Sequence, residues 1–174
     1  MTAKGHMVLS TTLAYLPLSY MLENEYEFYQ ICVVYTIIVI SSLLPDIDEP
    51  KSFIGNRSMY FSSLLKLLGV KHRTITHWLV TPLIIALFGY IAESDLMSIT
   101  LFAVAFGVVA HDVGDLISNT GIKGFLFPFL INTKIVLLPK ILRFETFSVV
   151  ESFVIFILMV VNFYIYFELF FKKI

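Results

Sequence analysis

The chain has 174 residues, of which 58% are hydrophobic and 14% charged, and its mean hydropathy is +0.87. Because soluble domains carry about 25% charged residues, this composition excludes an ordinary soluble globule and indicates an integral membrane protein. The net charge of −1 provides no basic excess, so we expect no nucleic-acid partner. The single cysteine, Cys32, cannot form an intrachain disulfide.

Five apolar stretches follow one another along the chain, and we expect each to form a helix of one membrane-embedded domain that comprises residues 1–174. The first, third and fourth are short against the ~20 residues that cross a bilayer core of about 30 Å. The predicted fold is therefore an all-α, polytopic membrane bundle of about five helices. The stretches are Met7–Leu22, Phe28–Leu44, His77–Ala92, Ser98–Ala110 with its continuation towards Ile117, and Val149–Phe171.

Two longer polar segments, Pro45–Thr76 and Ser118–Ser148, connect these stretches. In the first segment, apolar residues interleaved with Ser and Lys predict an amphipathic helix around Tyr60–Leu68 on the membrane surface. In the second, Ile122–Leu142 contains two prolines and predicts an irregular or re-entrant segment packed against the bundle.

The distribution of positive charge predicts the orientation. If all five stretches span, ten of the twelve Lys and Arg residues share one side, and only Lys172 and Lys173 fall on the other. Since short cytoplasmic segments collect Lys and Arg, we expect a cytoplasmic N-terminus and a C-terminal tail on the opposite side.

The four histidines and four of the aspartates fall at the predicted cytoplasmic ends of the stretches. Placing an ionisable side chain inside a bilayer costs roughly 2.5–3.5 kcal/mol, so such a layer needs a compensating partner, and a divalent metal is the natural one. The residues of this layer are His6, Asp46, Asp48, His72, His77, His111, Asp112 and Asp115.

The spacing of these residues indicates which of them bind the same ion. His111 and Asp115 are four residues apart, which places them on one face of a helix. Asp112 points about 100° away, so we interpret it as a residue that orients a ligand or as a helix-end charge. Asp46 and Asp48 form a turn-like Asp-x-Asp that offers oxygens to one ion or bridges two.

The remaining histidines come from the starts of helices and from a loop. His6 begins the first helix, and we expect His77 to open the third with Thr76 as its cap, while His72 comes from the loop before it. The predicted metal ligands are His6, Asp46, Asp48, His77, His111 and Asp115.

Mixed imidazole and carboxylate ligands favour Zn²⁺, with Mn²⁺ as the second choice, in a site with one ion or two. His72 is either a further ligand or the general acid that protonates a leaving oxygen. Arg73 clamps a phosphate, pairs with Asp46 or Asp112, or contacts lipid headgroups.

The order of these motifs resembles the bacterial inner-membrane proteins of the YdjM type, which are predicted metal-dependent hydrolases often under SOS-repressor control. The resemblance covers about residues 5–151, and the motifs are Gly5-His6, Leu44-Pro45-Asp46-Ile47-Asp48, His72-Arg73-x-x-Thr76-His77 and Gly107-x-x-x-His111-x-x-x-Asp115. The family pattern also contains Gly-Ser/Thr-x-x-Glu, which Phe147-Ser148-Val149-Val150-Glu151 matches except that Phe replaces Gly. A further departure is Trp78, where Ser or Thr is common. The resemblance implies a multi-pass hydrolase of the bacterial inner membrane with Glu151 as a site residue.

We therefore expect a phospholipase-like hydrolase of phosphoester bonds, in which His72, Arg73, Asp112 and Glu151 serve catalysis. The expected partners are a membrane lipid or a phosphorylated small molecule. We interpret Tyr60–Leu68 and Phe125–Phe129 as the border of a lateral entrance or as bundle packing. The alternative function is a membrane metal-binding or transport protein without hydrolase activity, although a transporter would place ligands near the bilayer midplane. The His-Glu-x-x-His motif of metalloproteases does not occur in this sequence.

Overall fold

The computed structural model describes residues 1–171, so Lys172 and Lys173, which the orientation argument used, lie outside the described residues. It confirms the all-α prediction, with a long helix in each of the predicted stretches except the third, where the helix is shorter. The helices are α1 (Ala3–Glu23), α2 (Phe28–Ser41), α3 (Phe53–Arg57), α4 (Met59–Leu67), α5 (Val80–Ile91), α6 (Asp95–Ile117) and α7 (Val149–Phe171). Short 3-10 turns cover Leu44–Asp48, Ile75–His77 and Lys140–Leu142.

Three segments of the described chain are long and apolar enough to cross a membrane. They are Phe28–Asp48, Asp95–Ile117 and Val149–Leu169, while Val80–Ile91 is apolar but shorter. Their exposed faces carry large apolar side chains, such as Phe102 on α6 and Phe163 on α7. Because such faces are costly in water and suited to lipid, the helices indicate a membrane protein.

The core of the bundle lies between α1, α2 and α6, and α7 packs mainly against α1. Gly107 allows α6 to approach α2 closely, because a Cβ at this position would lie 2.5 Å from the carbonyl oxygen of Ile38. His111 lies one turn further along α6, at the point where α2 ends. The close contact of these two helices therefore brings His111 next to the segment that carries Asp46.

The structure corrects the predicted start of the third helix. His77 ends the 3-10 turn Ile75–His77, and α5 begins only at Val80. Pro82 lies in the first turn of α5. Backbone N–H groups in a first turn have no partner within the helix, so a proline, which lacks this group, fits there and favours a helix start at this point. Thr76 does not cap α5; its hydroxyl donates to Oδ2 of Asp48 at 2.6 Å.

Both polar segments have the predicted character. The amphipathic helix predicted around Tyr60–Leu68 is α4, on which Tyr60 and Leu67 are strongly exposed. The second segment is mostly turns, with one antiparallel pair of two-residue strands, β1 (Ile122–Lys123) and β2 (Lys134–Ile135).

Candidate metal centre

Four side chains from three separate parts of the chain converge on one point. They are Asp46 in the 3-10 turn after α2, His77 before α5, and His111 and Asp115 on α6. The Nε2 atoms of His77 and His111 are 3.2 Å apart. Oδ1 of Asp46 lies 3.7 Å from the first and 3.6 Å from the second, and Oδ2 of Asp115 lies 3.6 Å and 3.8 Å from them.

These separations match those of a metal site. Four ligand atoms at about 2.0–2.2 Å from a tetrahedral ion lie about 3.3–3.6 Å from one another. Three of the predicted ligands, His77, His111 and Asp115, lie together here, and their side chains have no exposed surface. Asp46 reaches the surface, with 18% of its side chain exposed.

The hydrogen bonds behind the two histidines fix their tautomers. Nδ1 of His111 donates to the carbonyl oxygen of Ser42 at 2.6 Å. The hydroxyl of Thr76 donates to Asp48, so its oxygen accepts from Nδ1 of His77 at 2.9 Å. In the neutral form of each imidazole the proton is therefore on Nδ1, which leaves a lone pair on Nε2.

The centre is thus built from acceptors. Two imidazole lone pairs and two carboxylate oxygens point together, and no hydrogen-bond donor in residues 1–171 reaches the buried Oδ2 of Asp115. Buried acceptors that face one another repel unless a cation lies between them. The donor set fits a divalent ion that accepts nitrogen and oxygen ligands, such as Zn²⁺ or Mn²⁺.

His6 extends the centre along α1. Its ring stacks on that of His111 with centroids 3.7 Å apart, and its Nε2 lies 3.5 Å from Oδ1 of Asp115. Gly114 makes room for this ring, because a Cβ there would lie 2.9 Å from Nδ1 of His6. His6, His111 and Asp115 form a second group of possible ligands, which shares His111 and Asp115 with the first centre.

Asp48 is a predicted ligand, but its carboxylate does not face the two Nε2 atoms. Its Oδ1 accepts from Nδ1 of His72 at 2.8 Å, and its Oδ2 accepts from the hydroxyl of Thr76 and from the backbone N–H of Arg73. Because the 3-10 turn places Asp46 and Asp48 on different sides, Asp46 alone faces the two Nε2 atoms. The structure thus brings Asp48 behind the centre, where it holds the segment that carries His72 and His77.

His72 lies in the loop before α5, as predicted, and its side chain is 35% exposed. Burial lowers its pKa, but the hydrogen bond and the charge of Asp48 outweigh this effect, and the pKa of His72 is raised above its usual value. Its Nε2 has no hydrogen-bond partner in the described part of the chain, so this nitrogen is free to carry a proton.

Arg73 pairs with Asp115, a partner that the sequence analysis did not consider. Its Nη2 lies 2.9 Å from Oδ1 of Asp115, and its Nη1 donates to the hydroxyl of Thr120 and to the carbonyl oxygen of Gly121. The backbone of Arg73 has a φ of 62°, in the left-handed region. The same Oδ1 is also 2.8 Å from the amino nitrogen of Met1.

The structure separates Asp112 and Glu151 from the converging ligand atoms. Asp112 is buried, and neither carboxylate oxygen has a hydrogen-bond partner in residues 1–171. Glu151 accepts from the backbone N–H of Thr2 at 2.6 Å and from that of Phe147 at 2.7 Å, so it connects the start of α1 to the start of α7. Its position indicates a structural role in holding α1, the helix that carries His6.

A cavity of about 980 Å³ opens beside the centre, and Asp46, His72 and Arg73 form part of its lining. The lateral entrance considered in the sequence analysis is not this cavity, because no residue of Tyr60–Leu68 or Phe125–Phe129 lines it. Phe125–Phe129 instead packs next to α5, where Phe127 stacks on Trp78 with ring centroids 4.1 Å apart.

Several contributions to the site had no signal in the sequence. The carbonyl group of Ser42 is a backbone acceptor, which no residue pattern indicates, and the amino group of Met1 reaches Asp115 only through the fold. Asp46 faces the centre and Asp48 lies behind it because of the path of the 3-10 turn, which the Asp-x-Asp motif does not indicate.

The fold and the site define a helical membrane protein with a buried His–Asp centre at the ends of its helices. The chain belongs to the YdjM inner membrane protein family, whose family model matches residues 1–173. It is similar to the inner membrane protein YdjM of Escherichia coli (strain K12) and of Shigella flexneri, with 26% identity to each over 126 residues. The matched region covers 70% of this chain and 63% of the length of each relative. No solved structure gives a significant match to the chain.

Proposed function

We propose that this protein is a metal-dependent hydrolase of phosphoester bonds. The observation that carries the proposal is the convergence of two imidazole and two carboxylate acceptors next to a large cavity whose lining also contains a cation, Arg73. A site built only to store metal needs neither the cavity nor the arginine.

Asp46, His77, His111 and Asp115 would hold the ion, which we propose to be Zn²⁺, with Mn²⁺ as the second choice. His6 would complete the set or hold a second ion with His111 and Asp115. When bound, such an ion supplies a Lewis acid for the phosphoryl oxygens and water that ionises near neutral pH.

The residues around the centre supply binding and proton transfer. His72 lines the cavity, and Asp48 fixes its Nδ1, so its Nε2 is placed to give a proton to a leaving oxygen. Arg73 presents a planar guanidinium to the same cavity, which matches the paired oxygens of a phosphate. Its contact with Asp115 keeps the guanidinium at the edge of the centre.

The orientation of this site is also a proposal. The separation of ten Lys and Arg residues from two supports a centre on the cytoplasmic side of the inner membrane. Phosphoesters of the inner leaflet and of the cytoplasm would then be accessible.

The test is metal analysis and turnover measured on the same detergent-purified protein. We expect wild-type protein to contain divalent metal and to hydrolyse a panel of phosphatidic acid, isoprenyl phosphate and chromogenic phosphoesters. His111→Ala should lose metal and turnover together, because His111 belongs to both groups of ligands. Ser98→Ala, near the opposite end of α6, is the matched control and should retain both. Bound metal without turnover of any substrate would contradict the proposal and favour a metal-handling protein.

A further inference from the structure

The lining of the cavity beside the centre combines polar residues with a residue of a candidate membrane span. The polar residues include Asp46, His72 and Arg73, and the residue of the span is Ile155 on α7. Ile155 lies six residues after the first residue of α7, which corresponds to about 9 Å along the helix. Because α7 is one of the candidate spans, the cavity reaches a helix that is long and apolar enough to cross a membrane.

Two cationic side chains that line the cavity have no ion-pair partner in the described part of the chain. Lys4 and Lys51 line it, both are exposed, and neither ammonium group has an ion-pair partner among residues 1–171. The carboxylates of Glu49 and Glu151 also line it, but the first accepts the backbone N–H of Lys51 and the second accepts two backbone N–H groups. Arg73, which pairs with Asp115, is a third cationic side chain of the lining.

The lining of the cavity also includes apolar side chains. Phe53 from α3, Phe147 before α7 and Ile155 contribute side chains to the same cavity. A lining that combines cations with apolar side chains matches a molecule with a phosphate at the end of a hydrocarbon chain.

We propose that the cavity binds a membrane lipid with a terminal phosphate monoester as the substrate. The phosphate lies between Arg73, Lys4 and Lys51, and the lipid chain leaves past Phe53 and Ile155. A monoester carries a charge of about −1.5 to −2 near neutral pH, which suits the two lysines that have no ion-pair partner among the described residues. A headgroup with a choline or an ethanolamine would bring a further cation close to Lys4 and Lys51.

This inference rests on the proposed function, because the lipid is its substrate. In the reaction, the oxygen of water forms a bond to phosphorus, and the bond between phosphorus and the lipid oxygen breaks. The lipid oxygen takes a proton from His72, and the products are a lipid alcohol and inorganic phosphate. The proton released by the attacking water returns to His72 or to solvent.

Binding can be tested without turnover. Full-length protein in detergent, treated with a chelator, is titrated with dioleoyl phosphatidic acid or dioleoyl phosphatidylcholine, and bound lipid is measured by native mass spectrometry. We expect phosphatidic acid to bind more tightly. The double variant K4Q/K51Q should weaken its binding about tenfold or more, because each lysine near a lipid surface contributes about 1 kcal/mol. The control K66Q/K140Q removes two lysines outside the cavity and should change binding by less than about twofold.

A second pair of variants tests the route of the lipid chain. Ile155→Trp should fill the apolar part and weaken the binding of phosphatidic acid, whereas Ile157→Trp, on a part of α7 that does not line the cavity, should leave binding unchanged. Equal effects of these two variants, or equal binding of the two lipids, would overturn the inference. If a chromogenic phosphoester is still hydrolysed in that case, the proposed function stands. Selective binding of phosphatidic acid without turnover of any phosphoester by metal-loaded protein would instead overturn the proposed function.

Discussion

Nη2 of Arg73 lies 2.9 Å from Oδ1 of Asp115, whereas the other oxygen of this carboxylate, Oδ2, is the one that lies near Nε2 of His77 and of His111. Asp115 thus contacts the arginine and the candidate metal centre through different oxygens. The arginine is placed by a backbone φ of 62° and by acceptors on Thr120 and Gly121. Removing the guanidinium of Arg73 should therefore weaken phosphate binding and leave metal binding intact.

We expect Arg73→Ala to retain metal and to slow phosphoester turnover by about 10²–10³-fold, the effect of losing one donor to developing charge. Metal content per chain and turnover are measured on the same preparation. Arg57→Ala is the control, because Arg57 lies over the ring of Phe53 and does not line the cavity. Loss of metal in Arg73→Ala would show that the arginine instead supports the ligand Asp115.

Asp48 is predicted to act on the centre through its neighbours. Its carboxylate holds His72, Thr76 and the backbone of Arg73, and Thr76 in turn fixes Nδ1 of His77. Asp48→Asn should weaken metal affinity by about 10–100-fold, the usual cost of losing a group that orients a metal-binding histidine.

The measurement for Asp48 is a metal titration in a competing chelator. Full occupancy at high metal concentration would agree with an indirect role, because Asp46, His77, His111 and Asp115 remain. A protein that binds no metal at any concentration would make Asp48 a direct ligand, as the sequence analysis expected. Glu49→Gln is the matched control, since Glu49 contacts the backbone of Lys51 and not the centre.

The membrane orientation gives a prediction that does not depend on activity. Two single-cysteine variants are compared in a Cys32→Ser background. Gly69→Cys places the cysteine after α4, and Glu23→Cys places it at the last residue of α1. If the centre is cytoplasmic, a maleimide reagent that does not cross the inner membrane should label the Glu23 variant in intact cells and the Gly69 variant only after lysis. The opposite labelling would place the centre on the periplasmic side.

The sequence predicted the features that depend on local spacing. Apolar stretches gave the helices, and the four-residue interval placed His111 and Asp115 on one face of α6. The path of the chain between helices determined the rest. Pro82 moved the start of α5 beyond His77, and the fold brings the guanidinium of Arg73, from the loop before α5, to Asp115 on α6. Neither the partner of Arg73 nor the side of the turn on which Asp48 lies follows from residue order.

Phe147 provides the last prediction, since it stands where the family pattern quoted above has Gly. Its φ is 65°, a conformation that glycine adopts freely and that costs other residues about 1–2 kcal/mol. The strained position lets its N–H donate to Glu151, and the side chain is 88% exposed, so little packing opposes a substitution. We expect Phe147→Gly to be more stable than Phe147→Ala by about 1 kcal/mol, because both lose the ring but only glycine relieves the backbone. Thermal unfolding of the two variants in the same detergent measures the difference. Equal stability would show that the backbone at this position relaxes without glycine, and the substitution in this chain would then carry no cost.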